Sequence, residues 1–371
     1  MTTVRLPGLI DCHVHFREPG LTHKGDMQSE SRAALAGGVT TVCDMPNTVP
    51  PTVTVEALQG KVRRAERIRD CDIRFFFGVT EAKNLIALRK IWIGSETHLR
   101  LLCARCVGVK LYLDHSTGNM GADRRVTEET FKLCGELGIP VVCHCEDPGI
   151  NRAHPERPPE SEEHAVSYAI GLARTYRAPL HIAHISTKGA VDLVRRAKAE
   201  GLSVTCEAAP HHLFLTLEDL SRLGPLGKVN PPLRSSEHQE ALWDGIADRT
   251  VDCIATDHAP HTLEEKNSDR PPSGVPGVET MLPLLLTVSS GLWPGPNLQH
   301  STFDIQHSDI IRLCFTNPNR IFALGKRAPE QGGDAIEIDL EKEWTIRGAD
   351  LHSKCGWTPF EGWRVKGKVV R

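Results

Sequence analysis

The chain has no long hydrophobic run, no excess of charge of either sign and no low-complexity segment. Its 371 residues include 44 Lys and Arg against 47 Asp and Glu, a formal net charge of −3. A balance so close to neutral leaves no basic footprint for nucleic acid or for an anionic membrane surface. The longest apolar stretch, residues 281–288, is too short to span a bilayer and contains Pro283. No charged N-terminal region precedes an apolar core, so no secretory leader is expected. Cysteine, by contrast, is plentiful at 12 residues. A disulfide framework is not expected in a chain of this size without a leader. Cys12, Cys43, Cys143, Cys206 and Cys253 fall inside apolar, strand-like runs, where a thiol behaves as a small buried hydrophobe. Cys103 and Cys106 form a Cys-x-x-Cys with no second pair at zinc-ribbon spacing, and we read it as incidental. The expected setting is the reducing cytoplasm.

Short β-branched runs at residues 9–15, 39–45, 73–79, 107–113, 140–144, 180–185, 203–207 and 253–257 alternate with segments of helical periodicity. Those segments are 28–36, 55–68, 127–137, 162–176, 189–199 and 236–246, and Thr127 offers an N-cap hydroxyl. Eight βα units predict an α/β chain with a parallel sheet closed into a (β/α)8 TIM barrel. The alternative, an open doubly wound sheet, would usually carry a Gly-rich phosphate turn after its first strand, and none is present. The tail alternates in strand fashion at 336–340 and 363–370, predicting a small C-terminal β appendage. The expected division is a barrel over residues 7–325, with 1–6 and 326–371 forming a β-rich extension packed on it. Residues 152–163, rich in proline and charge, read as a surface loop.

His13 and His15 lie two apart on the first barrel strand, so both imidazoles share a face. Arg17, two residues on, offers a planar fork for a carboxylate. Asn47 follows the second barrel strand and Lys110 lies in the fourth. His144 ends the fifth, His184 the sixth and Asp257 the eighth, with His258 and His261 just beyond. In such barrels the C-terminal strand ends form the active site. His13, His15 and Asp257 suit one metal, and His144 and His184 a second. Two metals about 3.5–4 Å apart need a bridge. A plain ammonium at Lys110 has no lone pair to supply one, whereas a carbamylated lysine does. Glu207, His211 and His212 follow the seventh barrel strand and could support the metal ligands from behind, although ordinary polar satisfaction is the favoured reading. His181, out of phase with His184, reads as structural.

The segments PGLIDCHVHFREPG, MPNT, GVKLYL, HCED, HIAHIST, CEAAPHHLFLT, KVNPPLR, IATDHAPHTLEEK and GVPGVETMLPLLLT run from Pro7 to about Val288, with NPNRIFAL beyond. In these the chain resembles the dihydroorotases of the amidohydrolase superfamily, whose fold is a barrel of the metal-dependent hydrolase type. The resemblance implies reversible conversion of dihydroorotate and water to N-carbamoyl-L-aspartate, in pyrimidine synthesis, by a metal-activated hydroxide. It implies two zinc ions bridged by carbamylated Lys110, the first held by His13, His15 and Asp257 and the second by His144 and His184. The same histidine and carboxylate ligands would also admit cobalt or manganese.

Asp257 would serve as catalytic base and then acid. Arg17, Asn47 and His261 would grip the substrate carboxylate, and Asn230 with the Ser273–Gly274 backbone would contact the ring amide. In this family the loop after the fourth barrel strand often closes over substrate with a hydroxyl. Ser116 and Thr117 are the candidates here, without the aromatic that sometimes accompanies it. A homodimer and association with aspartate transcarbamoylase are implied by family. The short N-terminus and compact tail resemble a domain of a multifunctional pyrimidine enzyme, whereas KVNPPLR and HCED look closer to free-standing bacterial forms. Rival expectations are a hydantoinase- or allantoinase-like amidase, and a non-catalytic barrel kept for assembly, which should have lost ligands.

Overall fold

The computed structural model describes residues 3–114, 120–296 and 305–370. Eleven strands are described: β1 (Thr3–Pro7), β2 (Leu9–Val14), β3 (Val39–Asp44), β4 (Asp72–Gly78), β5 (Cys106–Tyr112), β6 (Val141–His144), β7 (Leu180–Ile182), β8 (Val204–Ala208), β9 (Cys253–Ile254), β10 (Ala335–Thr345) and β11 (Arg364–Val369). Strands β2 to β9 pair in sequence order, each parallel to the next, as βα units dictate. At its C-terminal end the ring returns on itself through a parallel bridge between Val14 and His258, where His15 N–H donates to the His258 carbonyl at 2.8 Å. The structure is therefore an α/β barrel and not an open sheet.

Two apolar layers follow from strands that are buried on both faces. Ile10, Cys12, Cys43, Phe76, Val142 and Cys253 pack inside the ring, with Phe315 and Phe322 among them. The outer layer lies between the strands and the helices, such as Pro159–Tyr176 and Lys188–Ala199, which bury Ala165, Val166, Val191 and Val194. The pairing of β2 with β3 shifts register between Asp11 and Val14. Ile10 and Cys12 belong to the inner layer and Val14 to the outer one, so the phase flips between them. The irregularity aims His13 and His15 inward, as strand bulges beside active sites commonly do.

The tail strands β10 and β11 pair antiparallel, and β1 joins β10 to make a three-stranded sheet. This sheet lies on the apolar helix Met281–Ser289, where Lys366 N–H donates to Thr287 Oγ1 at 2.8 Å.

Several local readings need correction. β7 stops at Ile182 and β9 at Ile254, so His184 and Asp257 lie just past the strands they were expected to end. The helix Arg124–Leu137 begins three residues earlier than periodicity suggests. Its N-cap is Asp123, which accepts from Val126 N–H at 2.8 Å, while the Thr127 hydroxyl donates to the Asp123 carbonyl. The stretch 152–163 is not simply a loop, because helices Pro148–Ala153 and Pro159–Tyr176 enter it from both sides. Pro159, inside the stretch read as a loop, is the first residue of its helix, where its missing N–H costs nothing.

Candidate functional site

The C-terminal mouth of the barrel holds a cavity of ≈ 260 Å³ whose lining includes His13, His15, Arg17, Asn47, His144 and His184, together with Asn230, Asp257, His261, Ser273 and Gly274. Lys110 lies beneath it, fully buried. Ser116 and Thr117, the candidate lid residues, lie outside the described residues.

Two imidazoles of the site are oriented from behind. His13 Nδ1 donates to Glu207 Oε1, and His15 Nδ1 donates to Asn47 Oδ1 at 2.6 Å. With Nδ1 engaged behind, each ring turns its Nε2 toward Asp257 Oδ1, His13 at 3.3 Å and His15 in a hydrogen bond at 2.9 Å. The ligand atoms of His13, His15 and Asp257 all lie within 4.8 Å of one another. Burial pushes the His15 pKa down to about 4, keeping it neutral. Burial alone would raise the Asp257 carboxyl, but the His13, His15 and His184 imidazoles hold it well below its usual range.

His144 and His184 form the second group. His144 Nε2 donates to Glu146 Oε2 at 2.8 Å, which turns Nδ1 toward His184 Nε2, 3.0 Å away. Arg157 lies on Glu146 and also reaches Asp114 Oδ2 at 2.5 Å. The Lys110 amine is buried without a hydrogen-bond partner, 5.1 Å from the centre of the Tyr112 ring and within electrostatic reach of Asp257 and His184. Burial lowers its pKa. A buried lysine amine without a partner is costly as a bare side chain.

Backbone strain marks the same place. Arg17, His184 and Asp257 have φ of 65°, 33° and 48°, a left-handed conformation that costs non-glycine residues roughly 1–3 kcal/mol each. Such strain persists where surrounding contacts over-determine the geometry, as the cross-strand bonds do here.

At the rim, Arg17 Nε donates to the Pro260 carbonyl at 3.0 Å, and one terminal nitrogen lies 2.9 Å from His261 Nε2. His261 Nδ1 is 3.2 Å from the Lys24 amine, and its Nε2 lies 3.1 Å from the Ser273 carbonyl. Burial, then Arg17 and Lys24, keep this imidazole neutral. Gly274, at φ 129°, sits so close to Ala259 that an added Cβ would fall 2.7 Å from the alanine methyl. Only glycine brings this backbone into the cavity wall.

One residue not singled out from sequence, Tyr112, and one given a lesser role there, Glu207, belong here. Tyr112 lines the cavity, and its position two residues after Lys110 on one strand face was the available signal. Glu207, read as ordinary polar satisfaction, binds His13 and the backbone N–H of His184 at 3.2 Å through Oε1. Its Oε2 accepts from His181 Nε2 at 3.1 Å and Cys12 Sγ at 3.4 Å. His181 keeps its structural role, bonded to Glu207 and Thr205.

The sequence profile of the amidohydrolase family matches residues 4–329. The chain is 40% identical to multifunctional protein CAD of Squalus acanthias over 371 residues, which cover 99% of this chain and 14% of that protein. It is 40% identical to the dihydroorotase of Halobacterium salinarum over 96% of this chain and 82% of that one, and 39% identical to the dihydroorotase of Pyrococcus furiosus over 99% and 79%. Among solved structures it resembles the L-hydantoinase of Arthrobacter aurescens, with a TM-score of 0.86 and 27% identity over 99% of this chain and 83% of that one. The dihydropyrimidinase of Brevibacillus agri superposes at 0.85 and 23% identity over 99% and 83%, a likeness of fold. With a metal-ligating mouth in place and free-standing relatives matched over most of their length, the chain belongs to the amidohydrolase family and, within it, to the dihydroorotases, which are cyclic amide hydrolases.

Proposed function

We propose that the chain interconverts dihydroorotate and N-carbamoyl-L-aspartate at this mouth, holding two divalent metals. The observation that supports the reading is the gathering at one mouth of His13, His15 and Asp257, of His144 beside His184, and of a buried Lys110 amine without a hydrogen-bond partner, next to the Arg17–His261 rim. His13, His15 and Asp257 would hold one ion, and His144 and His184 the other. Lys110, carbamylated, would bridge them. The donor set of imidazole and carboxylate suits zinc. When bound, the metals would make water nucleophilic at neutral pH and polarise the amide carbonyl.

The chain's own residues supply the rest. Arg17 and His261, with the Asn47 amide, fix the ring through its carboxylate, which converts a chance encounter into an aligned one. Asn230 and the Ser273–Gly274 backbone hold the ring amide. Asp257 Oδ1 takes a proton from the attacking water and passes it to the ring nitrogen as the C–N bond breaks, and ring closure runs in reverse. Glu207, Glu146 and Asn47 keep the imidazoles in the tautomers that leave lone pairs toward the centre. An amidase for uncharged rings would have no use for the buried cation at Arg17, which favours dihydroorotate over hydantoin or allantoin.

We further propose the cytoplasm as its setting, a reading supported by twelve free cysteines. Among the described residues no helix is long and apolar enough to cross a membrane. We also propose a homodimer and work beside other pyrimidine enzymes, aspartate transcarbamoylase among them; the matches to multifunctional proteins support the association with other enzymes. The division into a barrel of residues 7–325 and an extension formed by 1–6 and 326–371 is consistent with the separate sheet of β1, β10 and β11.

A spectrophotometric comparison of dihydroorotate, hydantoin and allantoin tests the substrate. Turnover of hydantoin alone would overturn it. An anomalous-scattering map tests the two ions, and the ordinary density at Lys110 tests the carbamate.

A further inference from the structure

Lys266 has no part in the chemistry described so far, yet it is fully buried one shell behind the cavity. Its ammonium donates to three backbone carbonyls: Lys228 at 3.0 Å, Pro272 at 3.1 Å and Gly274 at 3.1 Å. Three carbonyls match the three N–H donors of an ammonium, whereas a neutral amine has only two. Among the described residues no carboxylate pairs with it. Burial and then the Lys228 charge press its pKa down to about 7, and the three carbonyls are the groups placed to favour the charged form against them.

The three carbonyls belong to two different loops. Lys228 lies two residues before Asn230, and Pro272 and Gly274 flank Ser273. The loops are also tied directly, Gly274 N–H donating to the Lys228 carbonyl at 3.0 Å. Behind the amine, 5.6 Å away, is the ring of Trp357 from the chain's tail, whose Nε1–H donates to the His261 carbonyl at 2.7 Å. One buried cation thus faces the loop of Asn230, the loop of Ser273–Gly274 and, through Trp357, the segment of His261.

We propose that Lys266 is a positioning residue for the substrate ring, setting the gap between the Asn230 and Ser273–Gly274 loops in which the ring amide is held. The inference rests on the reading of those loops as ring contacts. The lysine touches no reacting atom and no candidate metal ligand, so its removal should widen the gap and leave the metal centre intact.

The test compares Lys266→Met with the parent enzyme for kcat and KM on dihydroorotate, metal content and Tm. The expected result is a KM raised about tenfold to 100-fold, equivalent to roughly 1.4–2.8 kcal/mol of lost ring binding. Metal content should equal the parent's, and kcat should change less than KM. An unchanged KM beside a lowered Tm would overturn the proposal and leave Lys266 a purely structural group. Should Lys266→Met fail to fold, the same comparison on Lys266→Arg decides it, because the larger head group cannot fit the three-carbonyl cage without moving a loop. If the parent itself turns over a different cyclic amide, the substrate reading fails, and the KM comparison is made on that amide.

Discussion

Replacing Glu207 by glutamine isolates what the carboxylate behind His13 does. The side chain keeps its shape but loses its charge and one of its two acceptor ends. Oriented with its oxygen on His13 Nδ1, the amide presents its NH2 to His181 Nε2. His181 can adapt, because its Nδ1 faces the Thr205 hydroxyl at 2.8 Å, which accepts as readily as it donates. The fold should therefore survive, and the lost charge should be felt at His13, whose ring becomes a poorer ligand. Partners of this kind are worth about 10- to 100-fold in metal affinity, or roughly 1.4–2.8 kcal/mol. Dialysis against graded chelator, followed by elemental analysis, reads the effect directly, with circular dichroism to verify the fold. The variant should lose metal at a 10- to 100-fold lower chelator concentration than the parent. A folded variant with an unchanged chelator midpoint would refute the argument that Glu207 tunes the ligand.

Arg17→Gln should raise KM for dihydroorotate about 100-fold, since truncating one partner of a buried charge pair costs roughly 2–5 kcal/mol; equal losses on an uncharged cyclic amide would show instead that Arg17 supports the fold. The metal-free protein should lose stability as pH falls. His15 and His211 are held near 4 by burial against 6.5 when unfolded, so the unfolded chain binds more protons between those values. Their stabilising effect is complete above about pH 6.5 and disappears toward pH 4, on the order of 3 kcal/mol for each, and Tm of chelated protein across pH 7.5 to 5 should fall accordingly; a flat profile would contradict it. Trp357→Phe removes the donor to the His261 carbonyl, leaving a buried acceptor unpaired at a cost of about 1–3 kcal/mol, so Tm should drop by a few degrees in a melting scan.

Much of this site is legible without coordinates because strand geometry is local. His13 and His15 share a face at a spacing of two whatever surrounds them. His144, His184 and Asp257 announce themselves by ending apolar runs, and Lys110 by interrupting one. Glu207 was undervalued because its importance is a contact across 194 positions with His13, and no local period reports that. Tyr112 was within reach of the same alternation that placed Lys110. The helix start at Pro159 is hidden in the sequence because proline both breaks helices and begins them, and only the packing of the flanking residues tells which.

The amino-acid sequence by itself determined the eight-fold alternation of strand and helix, the order of the chemistry-bearing strand ends and the rim arginine. These depend on periodicity and residue type, which are properties of neighbours along the chain. Only the tertiary structure decided which ring nitrogens face inward, where β2 shifts phase, and that Lys266 and Trp357 brace loops far from them in sequence. Those depend on closing the ring from Val14 to His258, which brings into contact groups that no local pattern relates.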